Sequence, residues 1–127
     1  MILDLICHGA TVDSAAVLLT MPQHPLTGQK RWLCEALNLT SGETPFPWQE
    51  ELLRRFMLGR IESSLDIPTG LGKTAVMAVW LVARACGALL PRRLVYVVDR
   101  RAVVDQAAEV AKRLRDFVDH NAEFEMR

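Results

Sequence analysis

DIPTGLGKTA, residues 66–75, is the stretch on which the fold turns. Two glycines, a lysine and a threonine follow a short apolar run, and the almost wholly apolar TAVMAVWLVARACG continues from them. From Ile67 to Thr74 the order I-P-T-G-L-G-K-T has the spacing of a Walker A phosphate-binding loop. Glycine at 70 and 72 permits backbone conformations that a Cβ forbids, so the chain can wrap a phosphate with its N–H groups inward. A helix starting near Lys73 adds the partial positive charge of its N-terminus. In this reading Thr69, Gly70, Leu71 and Gly72 form the loop. Lys73 reaches the β- and γ-phosphates, and the Thr74 hydroxyl ligates magnesium. The consensus has glycine where this chain has Ile67, and the strand–loop–helix context compensates. The competing reading is a glycine-rich strand-to-helix turn with an incidental lysine.

Outward from the loop, SSLDI suits a short strand near 62–67, and LVYVV, β-branched and wholly apolar, suits a second near 94–99. Helices are expected near 48–58, 73–86 and 101–117. The first has apolar residues at 48, 52, 53, 56 and 57 and a stop at Gly59. The second is apolar on nearly every face and should be buried on most sides. A strand, a crossover helix and a second strand read as a parallel βαβ unit, so the expected class is α/β. Residues 1–45 are poorly patterned and punctuated by Pro22, Pro25, Gly28, Gly42 and Pro45, with apolar stretches near 12–20 and 30–38 that suit short helices. The expected division is therefore 1–45 and 46–127.

Composition excludes several classes. The 127 residues carry zero formal net charge, so bulk charge points to no polyanion partner. Half are hydrophobic and 24% charged, which is globular rather than disordered composition. Cys7, Cys34 and Cys86 are odd in number, far apart and without a CxxC pair. That argues against a disulfide framework or a zinc site and fits a reducing cytoplasm. The opening MILDLICHGA lacks a basic flank and is interrupted by Asp4, so neither a signal peptide nor a membrane span is expected.

Gln49, in FPWQEELL, lies 24 residues before Lys73. Its amide offers one donor and one acceptor, which match the N7 and N6 edge of adenine, and Phe46 or Trp48 could cover the base. A glutamine after a tryptophan can equally be a solvated helix residue; the loop at this distance downstream favours the adenine reading. After the second expected strand comes VVDRRAVVDQA. Asp99 has two readings there. It ends an apolar run, as the Walker B aspartate does, but Arg100 stands where a water-activating glutamate would follow. Alternatively, Asp99, Arg100 and Arg101 form a nucleic-acid contact at the strand edge, with the arginines on phosphates. Between Arg84 and Arg115 there are eight basic and three acidic residues, the local bias expected of a nucleic-acid groove, or simply a solvated helix face.

FPWQ, DIPTGLGKTA and YVVDRRAVVDQA, in that order, resemble the start of a superfamily-two helicase motor. More narrowly, D-x-P-T-G-x-G-K-T and VVDRR-x-VVD-x-A resemble the helicase/endonuclease of type I CRISPR systems, especially its I-U (I-G) branch, over roughly residues 46–115. The resemblance implies a partial first RecA-like P-loop lobe with parallel strands flanked by helices. It implies adenine recognition by Gln49, phosphate binding by Gly70, Gly72, Lys73 and Thr74, and nucleic-acid contact around Asp99, Arg100 and Arg101. ATP and Mg2+ are the implied cofactors. Single-stranded DNA, a CRISPR surveillance complex and a chain supplying the missing motor lobe are the implied partners.

No D-E-x-H follows the second expected strand, and Asp119-His120 is the reverse of a nuclease His-Asp pair. Histidines 8, 24 and 120 are scattered. The chain thus reads as the N-terminal portion of a motor, from a truncated gene or a split protein. Such a portion is expected to have no catalytic residue of its own, to bind ATP weakly and not to turn it over. Two alternatives stand beside this. A complete small P-loop protein such as a nucleotide kinase needs a lid and an acceptor segment, for which the 54 residues after Lys73 are too few. A non-catalytic interaction module with a relic loop would be marked by an exposed apolar patch.

Overall fold

The computed structural model describes residues 26–121. Its centre is the segment that is apolar on nearly every face. After a single 3-10 turn, Lys73–Ala75, the chain forms a helix over Val76–Ala85 in which only Trp80, Arg84 and Ala85 are not buried. Three helices surround it. In chain order they are α1, Leu26–Ala36; α2, Pro47–Met57; α3, the central Val76–Ala85; and α4, Arg101–His120.

Each outer helix presents one apolar stripe to this centre. From α1 come Leu33 and Ala36, and from α2 come Leu52, Leu53 and Phe56. α4 is the longest and the most strongly amphipathic; it sinks Ala107 and Leu114 into the same core. Seven residues apart, these two lie on one face, as a helical period requires. Phe117 of α4 meets Trp32 of α1 edge-on, with ring centroids 6.1 Å apart and planes at 75°. A Lys30–Glu50 ion pair of 2.8 Å ties α1 to α2 on the surface.

The helix ends explain the element lengths. α2 starts on Pro47, whose missing N–H is not needed at the first helical position. It stops at Gly59, with the amides of Gly59 and Arg60 donating to the carbonyls of Phe56 and Arg55 at 2.9 Å each. α1 closes the same way, the amides of Asn38 and Leu39 returning to Glu35 and Cys34 at 2.9 and 3.0 Å. Both are Schellman turns, which satisfy carbonyls that a helix terminus would otherwise orphan. On the α2 surface, hydrogen bonds from Arg54 and then Arg55 hold the Glu51 carboxyl down to about 2, and Arg55 also pairs with Glu62.

The expected α/β class, with parallel strands near 62–67 and 94–99, is overturned: the described residues contain no strand and no sheet. The helices near 48–58, 73–86 and 101–117 are present, as Pro47–Met57, Lys73–Ala85 with its 3-10 start, and Arg101–His120. The LVYVV run does alternate with period two. Leu94 and Tyr96 pack against the core, while Val95 and Val97 are 75% and 80% exposed. That alternation and β-branching are local properties. A ladder is not local, because it needs a second backbone alongside to take up the N–H and C=O groups. Here the inward side chains meet helices instead. The 62–67 segment likewise buries Ile67 but leads into Pro68, which has no N–H to offer a ladder. The apolar stretch near 30–38 is the C-terminal part and turn of α1; the one near 12–20 lies outside the described residues.

Candidate nucleotide site

The glycine loop has the geometry its sequence requires. Gly70 and Gly72 sit at φ +88° and +66°, in the left-handed region that costs any residue with a Cβ. Space is not the reason for glycine at either position. A Cβ on Gly70 would meet nothing within 4 Å, and one on Gly72 would lie 3.9 Å from Gln49 Nε2. Between residues 69 and 75, the amide of Leu71 donates to Pro68 at 3.4 Å and that of Ala75 to Gly72 at 2.9 Å. The amides of Thr69, Gly70, Gly72, Lys73 and Thr74 have no backbone acceptor among the described residues. These amides lie at the entrance to a buried helix, the kind of place where backbone donors can meet an anion.

α2 docks on this loop through two adjacent residues. The Trp48 indole N–H donates to the Leu71 carbonyl at 3.0 Å. Gln49 is 4% exposed, and its Oε1 accepts the Phe46 backbone N–H at 2.9 Å, capping the start of α2. Its Nε2 faces Gly72. The Trp48–Leu71 hydrogen bond thereby joins chain segments 23 residues apart, with the buried Gln49 packed beside it. Of the two aromatic candidates for covering a base, Trp48 is committed to the loop, whereas Phe46 is 44% exposed.

Phe46, Gln49, Gly72 and Thr74 line one cleft of about 480 Å³, a size that suits a small-molecule ligand. Leu37 and Leu39, from the turn after α1, give it an apolar end. Glu43 lines it too, but accepts hydrogen bonds from the Thr40 amide and hydroxyl at 2.7 and 2.8 Å. The Thr40 amide, then its hydroxyl, lowers the Glu43 carboxyl below the usual range, so this carboxylate stays ionised. Lys73 is half-buried beside the cleft and makes no ion pair among the described residues.

The family model of the type III restriction enzyme res subunit matches residues 43–126, well over half of the chain. The chain belongs to this family. The matched part is therefore a superfamily-two helicase-like, nucleotide-binding region, and it encloses α2, the glycine loop, α3 and α4. No curated protein and no solved structure matches the chain.

Within this res-subunit-like domain, Asp99, Arg100 and Arg101 stand apart from the cleft. All three are exposed. Arg100 is the N-cap of α4, its carbonyl accepting the amides of Val103 and Val104 at 3.0 and 3.1 Å. Neither arginine is paired with a carboxylate among the described residues. No group of three or more His, Cys, Asp or Glu suited to a metal ion occurs among the described residues, and no helix there is long and apolar enough to cross a membrane.

Several cleft residues escaped the sequence reading, among them Leu37, Leu39, Glu43 and Thr44 and, farther along the chain, two residues of α4. Val110 and Arg113, one turn apart on α4, line the cleft opposite in sequence to everything else in it. Their spacing of three puts them on one helical face. The sequence led to a helix near 101–117, but not to the cleft that this helix would close.

Proposed function

We propose that this chain is the ATP-binding portion of a DNA helicase or translocase motor. The observation that carries the reading is a single cleft bounded by Phe46 and Gln49 on one side and by Gly72 and Thr74 of the glycine loop on the other. Residues 46–127 would then be part of the first motor lobe, with 1–45 preceding it.

The chemistry follows from the groups present. The free amides of the loop and the Lys73 ammonium take the phosphate chain. Thr74 is half-buried and lines the cleft, and its hydroxyl would suit magnesium, which binds through few protein oxygens together with substrate phosphates. When bound, magnesium would neutralise charge on the β- and γ-phosphates. Gln49 retains both Nε2 protons and one Oε1 lone pair, a donor and an acceptor for the N7 and N6 edge of adenine. Phe46 covers the base. Within these 127 residues Arg100 follows Asp99 where a glutamate would activate water, so the purified chain binds ATP weakly and does not hydrolyse it.

Titration calorimetry with ATP and GTP tests this. The wild-type chain should prefer ATP, and Gln49→Ala should bring the two affinities together, with a loss of about 1 kcal/mol in stability from the missing cap. Absence of ATP binding by the wild type, or an unchanged ATP-to-GTP ratio in the variant, would overturn the reading.

The proposed polymer is single-stranded DNA, held by Arg100 and Arg101 on exposed backbone at the start of α4. In Arg100→Ala with Arg101→Ala, each lost phosphate contact should lower the slope of log affinity against log salt by roughly 0.7, with sequence preference unchanged. An unchanged slope returns Asp99 to the Walker B reading. The setting we propose is a type I CRISPR interference system, on the strength of the Asp66–Thr74 and Val97–Ala107 patterns. A surveillance complex and a chain supplying the remaining motor lobe would be the partners.

A second reading, an interaction module, has one observation in its favour. Val95 and Val97 are exposed on a segment whose Tyr96 hydroxyl is buried without a hydrogen-bond partner. The two readings are compatible if a further element of the motor covers this segment.

A further inference from the structure

We propose that Arg113 of α4 is a phosphate-contacting residue of the nucleotide cleft, an inference that rests on the ATP-binding reading above. Arg113 lines the cleft together with Gly72 and Thr74, yet it lies 40 residues beyond Lys73, on a separate helix. Its two cationic neighbours on α4 already have carboxylate partners. Lys112 pairs with Glu109 at 2.7 Å, and Arg115 lies 3.8 Å from Asp119. Arg113 alone of these three has no carboxylate partner among the described residues. The other charged residue of the cleft wall, Glu43, is an anion engaged by Thr40.

A polyanion entering this cleft therefore meets one uncompensated cation within its walls, and that cation is Arg113 rather than Lys73, which stands beside the cleft. Guanidinium suits the task. Its planar fork can bind two phosphate oxygens at once. Val110, one turn before it, packs partly against the core and fixes the helical face from which the arginine reaches. No other residue of α4 shares both properties, an uncompensated charge and a position on the cleft.

The full 127-residue chain is titrated with ATP, ADP and adenosine, as wild type and as Arg113→Ala, Arg113→Lys and Lys73→Ala. Arg113→Ala should lower ATP and ADP affinity about ten-fold, as loss of a hydrogen bond to a charged group does, and leave adenosine binding unchanged. Arg113→Lys should recover part of the loss. Because Arg113 is exposed, its circular dichroism spectrum and melting temperature should match the wild type. If Arg113→Ala binds ATP as tightly as wild type while Lys73→Ala is weakened, the ATP-binding reading stands and the assignment of Arg113 falls. Equal losses for ATP and adenosine in Arg113→Ala also overturn it, since they place the side chain at the base or ribose. If no variant and no wild-type protein binds ATP, the underlying reading fails first.

Discussion

Lys73→Ala should lower ATP affinity by about ten- to a hundred-fold while leaving adenosine binding and the melting temperature unchanged. Charge-assisted hydrogen bonds contribute about 1.5–3 kcal/mol each, and about 1.4 kcal/mol is a factor of ten. The expected separation of binding from stability comes from the position of the residue. Lys73 is half-buried at the first turn before α3, and no carboxylate among the described residues depends on it. Its removal strands no buried charge in the free protein. It removes only the ammonium that a triphosphate would find next to the unpaired loop amides. Calorimetry with ATP, ADP and adenosine checks the effect. A variant that binds ATP as the wild type does would mean that the loop is a turn and nothing more. A variant that also melts earlier would assign Lys73 a role in the fold that its contacts do not show.

The conformation of the glycine loop was legible because what sets it is local. Positive φ at Gly70 and Gly72, the start of a helix at Lys73 and the burial of Val76–Ala85 all follow from residues within a few positions. The same holds for α2, whose stripe and whose stop at Gly59 are written in eleven consecutive letters and one glycine. The sheet was misread because LVYVV encodes alternation, not a partner. The bases of the error are Val95 and Val97, which face outward as strand residues would, beside a backbone that joins no ladder among the described residues. Gln49 was singled out by its distance from Lys73, but the hydrogen bond by which it caps α2 through the Phe46 amide could not be read from that distance. Arg113 was hidden for a related reason. Which helix closes a cleft depends on how helices pack, and a stripe of Ala107, Val110 and Leu114 says only that α4 packs somewhere.

Phe56→Ala should destabilise the fold by about 3–5 kcal/mol, a large share of the roughly 5–15 kcal/mol that holds a domain together. Phe56 is wholly buried and is among the largest side chains to be so. It belongs to α2, which packs on α3, and no short side chain can reach across the volume it fills. The cost has two parts, the lost transfer of the ring from water and the cavity left behind. Phe56→Leu keeps most of the volume and should cost no more than about 1.5 kcal/mol. Urea unfolding followed by circular dichroism measures both. The consequence for the site is specific. α2 brings Trp48 and Gln49 to Leu71 and Gly72, so a loosened α2 should weaken nucleotide binding without any change at the loop itself. Excess ATP should in turn raise the melting temperature of Phe56→Ala, because a ligand that binds only the native state shifts the equilibrium towards it. A Phe56→Ala protein as stable as the wild type would show that the α2–α3 contact is not what holds the cleft. In that case Trp48 and Gln49, rather than the core beneath them, would carry the docking of α2 on the loop.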